Sequence, residues 1–364
     1  MSASLVFETI VTLCFHVAVI VALTAFLTRW VNDARQNSRM WTICFVLILS
    51  FIVAAFLLPH RRLIVVSDML PQSTLAQLVA WQRMFVAALV IVWTAGVSVS
   101  LLSRGIRCFA LSRFLVRSCQ SLTVSQRQSL PLDDSELDPT TQVLVSDKIQ
   151  GPFCWQLHKP TIVIPRYVLD GDSTILRHVL LHEVEHLRTN HPMQHFLQGA
   201  CSTLFWFHPA IKVAAQGAEI TREFVCDEHV TSSDGKYASY LRTLVSIAEQ
   251  CGSVSCTEVP KGTLAFGNQK SALIKRSDRI VHLATHPAKP KRVRTVMGTA
   301  GLIVGAILVS QVWLPTNATA STRSHWSPWP TWSATTLHSF GVNARDFERF
   351  DERSDMHEWI SGDR

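Results

Sequence analysis

The chain has 364 residues, of which 48% are hydrophobic and 17% charged, and its formal net charge is +7. This length is too great for one compact core, and the apolar residues are concentrated in blocks rather than spread along the chain. The positive charge lies largely next to those blocks, where a membrane surface accounts for it, so we expect no direct binding of nucleic acid.

Four apolar blocks predict transmembrane helices, at residues 5–27, 41–58, 84–102 and 296–314. Each is long enough to cross a hydrocarbon layer of about 30 Å as a helix. The first block has no basic leader and no obvious small-residue cleavage site, so we interpret it as a retained span rather than a signal peptide. The sequence therefore predicts an α-helical membrane protein with four transmembrane helices, and the lipid bilayer as its first partner.

The basic residues beside these spans predict the orientation of the chain. If segment 103–295 is cytoplasmic, four basic residues flank the outer ends of the spans and eleven flank the inner ends, namely Arg29, Arg35, Arg39, Arg104, Arg107, Arg113, Arg117, Lys289, Lys291, Arg292 and Arg294. This excess predicts a multi-pass protein of the inner (plasma) membrane with its amino terminus outside. All nine cysteines lie in the spans or in segment 103–295, as expected for free thiols in a reducing compartment.

Segment 103–295 mixes helical and strand patterns and predicts an inserted α+β domain. Basic and apolar residues at 104–117 predict a helix on or leaving the membrane surface, and Ser, Gln, Asp and Pro at 121–139 predict a loop. Short β-type runs follow at 142–145 and 161–164. A helix is predicted to begin near Ser173 and to end by Pro192, and a further helix spans about 210–230.

The first of these helices carries the motif H-E-x-x-H at residues 182–186. His182 and His186 are separated by one helical turn and can hold one zinc ion, whereas a solvated histidine pair is the alternative. An apolar stripe lies almost opposite the face of the two histidines and consists of Leu176, Leu180, Val184 and Leu187. This pattern favours a helix that is held by its apolar face. Helical geometry places Glu183 and Glu185 about symmetrically on the two sides of the histidine face. Only the known motif therefore selects Glu183 as the general base.

The second helix carries Glu219, Glu223 and Asp227 at intervals of four residues. Three stacked carboxylates repel one another unless a cation or a histidine lies against them, so a third metal ligand is expected here. The alternative is a solvated acidic stripe.

Five stretches resemble the BlaR/MecR-type membrane zinc metallopeptidases, whose best-known members are antirepressor signal transducers. The matching stretches are 151–153 (GPF), 161–165 (TIVIP), 180–187 (LLHEVEHL), 205–209 (FWFHP) and 222–228 (REFVCDE). The resemblance implies a zincin-like metallopeptidase domain at 103–295, with Zn²⁺ held by His182, His186 and Glu223. It also implies Glu183 as the general base and Asp227 as an acceptor that orients a ligand histidine. Glu219, outside the matching stretches, remains a weaker rival for the third ligand.

The same resemblance implies a membrane-anchored zinc endopeptidase that transmits a signal by cleaving a cytoplasmic protein, such as a transcriptional repressor, or itself. A membrane-protein quality-control protease and a non-catalytic, zinc-stabilised transducer are the alternatives. Candidates for oxyanion stabilisation are His191, His229 and Tyr237. A homodimer through the small face of Gly301 and Gly305 is a further prediction.

The end of the chain departs from the best-known members of that family. Residues 315–364 are expected to form a short extracytoplasmic tail, extended and rich in tryptophan. This tail has no lysine and hence no S-x-x-K motif, so we expect this chain to lack the penicillin-binding sensor.

Overall fold

A computed structural model describes residues 3–58, 61–62, 71–133, 135–156, 159–253, 269–286, 292–313, 329 and 331–344. Within these ranges the protein is mostly helical. Its helices are α1 (Ala3–Trp30), α2 (Ala34–Leu57), α3 (Gln72–Ser118), α4 (Val124–Gln128), α5 (Arg166–Leu169), α6 (Ser173–Arg188), α7 (His191–Leu204), α8 (Pro209–Asp234), α9 (Tyr237–Ser253), α10 (Gln269–Thr285), α11 (Arg292–Ser310) and α12 (Thr331–Ser339). The strands are β1 (Arg61–Arg62), β2 (Gln120–Ser121), β3 (Gln142–Ser146), β4 (Phe153–Gln156), β5 (Pro160–Pro165) and β6 (Val312–Trp313).

Four helices are long and apolar enough to cross a membrane, over Thr9–Trp30, Ala34–Ala55, Met84–Ser118 and Val293–Ser310. Their ends lie within seven residues of the four predicted blocks, except at the end of the third. There the predicted span and the predicted surface helix at 104–117 form one uninterrupted helix, α3, of 47 residues. The stretch between them contains no proline, so nothing in the backbone interrupts the helical hydrogen bonds.

The glycine face of α11 packs inside the chain. A Cβ atom added to Gly298 would lie 2.7 Å from Val31, and one added to Gly305 would overlap Leu23 of α1. Small residues allow helix backbones to approach closely, and here the approaching helix is α1. The face of Gly301 and Gly305 is therefore occupied within the chain and does not support the predicted homodimer contact.

The tail also differs from the expected extended segment, because Trp332 lies in the short helix α12. Trp326 and residues 345–364 lie outside the described residues.

The strands β2, β3, β5 and β4 form a small mixed sheet in that order. The central pair, β3 and β5, is parallel, and β2 and β4 add to its two edges in antiparallel fashion. Both predicted strand runs are present, at β3 and β5. One face of the sheet is covered by α6, whose Leu176, Leu180 and Leu187 are buried against Ile162 and Ile164 of β5.

A second core joins the apolar helices to α7 and α8. Phe45 and Ile48 of α2 are buried together with Cys201 of α7 and with Ile211 and Ala214 of α8. The apolar stretch at 196–207 is therefore largely part of a core helix that packs on the spans, and α8 continues from this core toward the sheet domain. The helix that carries the predicted acidic ligands is thus held against the membrane helices at its amino-terminal half.

We expect Leu180→Ala to destabilise the protein by about 2–5 kcal/mol, because the Leu180 side chain is fully buried between α6 and the sheet. Val184→Ala, on the same predicted stripe but only partly buried, should cost less than half as much. Thermal unfolding midpoints in detergent micelles measure both effects. A larger loss for Val184→Ala would contradict the packing of this face against the sheet.

Candidate metal centre

Helix α6 brings the two histidines of the motif together. The Nε2 atoms of His182 and His186 lie 3.2 Å apart, and both side chains are largely buried. Asp172 rather than Ser173 caps the helix, accepting hydrogen bonds from the backbone N–H groups of Thr174 and Ile175. The helix begins at Ser173, as predicted.

Glu223 of α8 lies against both histidines. Its Oε2 atom is 3.4 Å from His182 Nε2, and its Oε1 atom is 3.5 Å from His186 Nε2. Two ligands of a tetrahedral zinc ion, each about 2.0–2.1 Å from the metal, are about 3.3–3.4 Å apart. The two nitrogens and the carboxylate of Glu223 therefore have the spacing and the donor types of a three-ligand zinc site.

Cys226, one turn after Glu223, is an alternative third ligand that the sequence did not suggest. Donor atoms of His182, His186 and Cys226 all lie within 4.8 Å of one another. The Cys226 Sγ atom, however, contacts Nδ1 of His191 at 3.7 Å, whereas Glu223 reaches both Nε2 atoms more closely. Burial and the nearby carboxylates also raise the pKa of the Cys226 thiol well above its usual range, so an ion would have to displace its proton. The geometry favours Glu223.

Asp227 and Tyr240 lie on the far side of His182 and orient its ring. The Tyr240 hydroxyl donates to Asp227 Oδ1 at 2.7 Å and lies 3.0 Å from His182 Nδ1. A phenol has one proton to donate, so at His182 the hydroxyl accepts a hydrogen bond from Nδ1–H. This leaves the lone pair of Nε2 directed at Glu223 and His186, as metal binding requires.

His191, one of the predicted oxyanion candidates, instead contacts the second ring nitrogen of His186. The two Nδ1 atoms are 2.8 Å apart. The arrangement follows from the tight junction between α6 and α7, in which Asn190 adopts the left-handed conformation with φ of 55°. Asparagine tolerates this conformation better than most residues. Each histidine of the motif thus has a partner on its Nδ1 side.

Arg276 of α10 neutralises the acidic side of the centre. Its Nε atom donates to Asp227 Oδ2 at 2.9 Å, its Nη2 atom to Asp227 Oδ1 at 2.6 Å, and its Nη1 atom lies 3.0 Å from Glu223 Oε2. A bidentate hydrogen bond between a guanidinium and a carboxylate, as Arg276 makes with Asp227, is among the strongest polar contacts in proteins. Arg276 and Tyr240 were both missed in the sequence, because neither belongs to a motif and both are far from residues 182–186 in the chain.

The structure separates the two glutamates that helical geometry left equivalent. Glu185 is buried and pairs with Arg35 of α2 at 2.9 Å, with His229 at 3.7 Å on its other oxygen. Glu183 is buried beside Cys154 of β4 and close to the histidine pair. His229 is therefore engaged by Glu185. Of the described residues near the histidine pair, only Glu183 has a carboxylate free of an arginine partner.

The remaining sequence candidates lie elsewhere. Glu219, the rival third ligand, accepts a hydrogen bond from Gln198 at 2.9 Å and is exposed rather than directed at the histidines. Tyr237, a predicted oxyanion candidate, packs in a separate apolar cluster with Leu181 and Val230. Neither residue contacts the histidine pair in the described part of the chain.

Burial and charge set the protonation states of the centre. Burial raises the pKa of Glu183 to about 7 and lowers that of His186 to about 3. Burial would also raise the pKa of Glu223, but Arg276 and His182 hold it well below its usual range. An ionised Glu223 and a neutral His186 are the forms that bind metal. Burial lowers the pKa of His182, yet Asp227 and Glu223 outweigh it and raise this pKa to about 9, so an ion must displace a proton there.

Four apolar helices combined with a buried histidine pair and an adjacent acid define the class of membrane metallopeptidases. The chain belongs to the BlaR1 peptidase M56 family, whose sequence profile matches residues 4–276. M56 peptidases are metal-dependent, and a membrane location follows from the family and from the apolar helices.

Two relatives carry the description "Methicillin resistance mecR1 protein", one from Staphylococcus aureus (strain Mu50 / ATCC 700699) and one from Staphylococcus epidermidis. Each is 23% identical to this chain over 167 residues, which cover 46% of the chain and 28% of the relative. The match therefore spans less than a third of the length of these relatives.

Replacement of the two rival third ligands should separate them. We expect Glu223→Gln to lower the metal content of the purified protein at least tenfold, because it removes an anionic ligand, and Cys226→Ala to leave the content near one ion per chain. Elemental analysis after dialysis against a weak chelator measures this. The opposite result would assign the third position to Cys226.

Tyr240→Phe should weaken metal binding by about 10–100-fold, the usual effect of losing a hydrogen bond to a ligand histidine. Tyr237→Phe, one turn earlier in α9, is the matched control and should have no effect. Competition with a fluorescent zinc chelator gives both affinities. Equal affinities for the two variants would mean that Tyr240 does not orient His182.

Proposed function

We propose that the protein is a membrane-anchored zinc endopeptidase, with Zn²⁺ held by His182, His186 and Glu223. The convergence of their donor atoms at 3.2–3.5 Å is the observation that carries this proposal. When bound, zinc supplies a Lewis acid that polarises a peptide carbonyl and makes water more acidic.

The residues of the chain have separate tasks in this proposal. Glu183 accepts the proton of the attacking water at a carboxylate oxygen and delivers it to the leaving nitrogen, a role suited to a pKa of about 7. Asp227 and Tyr240 hold the His182 ring, and His191 contacts that of His186. Arg276 keeps Glu223 and Asp227 ionised inside the protein.

The substrate in this proposal is a cytoplasmic protein, with segment 103–295 on the inner side of the membrane. The excess of basic residues beside the inner ends of the spans supports that orientation. The resemblance to antirepressor signal transducers favours a transcriptional repressor, or the chain itself, over the broad range of substrates of a quality-control protease.

Two contacts favour signal transmission from the spans to the centre. Arg35, in the first turn of α2, pairs with Glu185, the residue next to His186. Arg279 of α10 bridges Glu228, next to Asp227, and Asn32 in the link between α1 and α2. A displacement of the first two spans therefore acts on residues adjacent to both sides of the metal centre.

Glu183→Gln should reduce proteolysis by about 10²–10⁴-fold while the metal content stays unchanged, because it removes only the proton acceptor. Glu219→Gln is the matched control and should retain cleavage in protein of the same metal content, because Glu219 is exposed and a glutamine there can still accept the hydrogen bond from Gln198. Mass spectrometry of newly formed protein amino termini compares cells that express each variant.

Three outcomes of that comparison decide between the functions. Loss of one or a few cleavages in Glu183→Gln supports the signalling protease, and loss of many cleavages in membrane proteins supports quality control. An unchanged cleavage pattern together with intact signalling would leave only a non-catalytic transducer.

A further inference from the structure

A cavity of about 600 Å³ lies between α3, β4 and α7, beside the metal centre but outside it. Its wall on α3 consists of residues on one helical face, at positions 97, 101, 104, 105, 107, 108 and 111. The facing walls come from β4, through Phe153 and Trp155, and from α7, through residues 195–204. None of the predicted metal ligands lines this cavity.

The cavity has an apolar part at the depth of the membrane span. Val97 and Leu101 belong to the charge-free run of α3, and Leu204 of α7 faces them. Trp93 lies one turn before Val97, and its indole N–H donates a hydrogen bond to the Leu204 carbonyl at 2.8 Å. This end of the cavity is therefore bordered by residues that lie in the hydrocarbon region when α3 crosses a bilayer.

The next turn of α3 brings two cations into the same cavity. Arg104 is the first charged residue after the apolar run, and Arg107 follows one turn later. The guanidinium of Arg104 lies over Gly199 of α7, where an added Cβ atom would be 2.7 Å from its Nη1 atom. No acidic residue lines the cavity, and neither arginine has a hydrogen bond or ion pair with the described residues.

A third nitrogen in the lining lacks a partner. His195 Nδ1 is buried and makes no hydrogen bond within the described part of the chain. Buried polar atoms are rarely left without partners, so this nitrogen marks incomplete packing of the cavity wall. Two cations and a histidine therefore line a cavity that continues along apolar residues.

We infer that this cavity binds an anionic phospholipid of the surrounding bilayer. The phosphate group pairs with Arg104 and Arg107, in the cavity that His195 also lines, and the acyl chains lie along Val97, Leu101 and Leu204. Basic pockets next to transmembrane helices are favourable sites for acidic lipid head groups. An anion there also relieves the repulsion between the two arginines, which are three residues apart on one helix.

The experiment uses the full chain, delipidated in a neutral detergent and titrated with phosphatidylglycerol or phosphatidylcholine, with bound lipid counted by native mass spectrometry. We expect about one tightly bound phosphatidylglycerol per chain and at least tenfold weaker binding of phosphatidylcholine. Equal binding of the two lipids would overturn the inference. Glycerol 3-phosphate, which carries the charge without acyl chains, should not displace the lipid, and displacement at equal concentration would indicate a site for soluble anions instead.

Two variants and their controls locate the site. The double variant Arg104→Gln/Arg107→Gln should lose at least tenfold in phosphatidylglycerol affinity, whereas Arg113→Gln/Arg117→Gln, further along α3 and outside the cavity, should keep it. Equal losses in both would mean that only the general positive charge of the helix attracts lipid.

Gly105→Leu tests the cavity without altering charge. Gly105 lines the cavity, and a Cβ atom added there meets no atom within 4 Å, so the leucine fills the space without a clash at Cβ. It should weaken lipid binding at least tenfold, and Gly105→Ala should not. Retained binding in Gly105→Leu would overturn the location. Metal content, measured in parallel, should be unchanged in all of these variants, so the result does not depend on the proposed peptidase activity.

Discussion

The contact on which the centre depends is the pairing of Arg276 with Asp227 and Glu223 in the interior of the protein. Two carboxylates of one helix, α8, face a histidine of another, and all are largely shielded from water. Ionised carboxylates are costly to bury unless a positive charge and hydrogen bonds compensate for them. Arg276 supplies both, which keeps Glu223 ionised, as its proposed role as a metal ligand requires, and keeps Asp227 as an acceptor for Tyr240.

Helix α8 has a different role in each of its halves. Its first turns are buried with α2, where the ring of Trp41 packs directly over Gly217. Only six residues later the same helix presents Glu223 to the histidines of α6. A rigid helix transmits a displacement along its length, so the acidic side of the metal centre is fixed relative to the spans rather than relative to the sheet alone.

The parts of the protein that repeat a periodic pattern could be predicted from the sequence. The four spans, the strands β3 and β5, and the helix with the H-E-x-x-H motif all lie close to their predicted positions, because hydrophobic periodicity and composition are local signals. The choice of Glu223 over Glu219 came from a family resemblance and stays a prediction; in the structure Glu223 lies against both histidines, and Glu219 accepts a hydrogen bond from Gln198.

Contacts made across the fold could not be predicted in the same way. Tyr240 and Arg276 join the centre through the packing of α9 and α10 on α8, which leaves no trace in local periodicity. Helical geometry could not separate Glu183 from Glu185 either. The two glutamates differ because Glu185 pairs with Arg35, which lies 150 residues earlier in the chain. The glycine pair of α11 was correctly recognised as a close-packing face, but only the fold reveals that α1 covers it.

The junction between α6 and α7 restricts insertions and deletions at this point of the chain. Only Thr189 and the left-handed Asn190 separate the two helices, and His191 opens the second. One inserted residue would turn α7 by about 100° and carry His191 away from His186. Glycine in place of asparagine satisfies the same backbone angle, so this position admits changes of side chain and excludes changes of length.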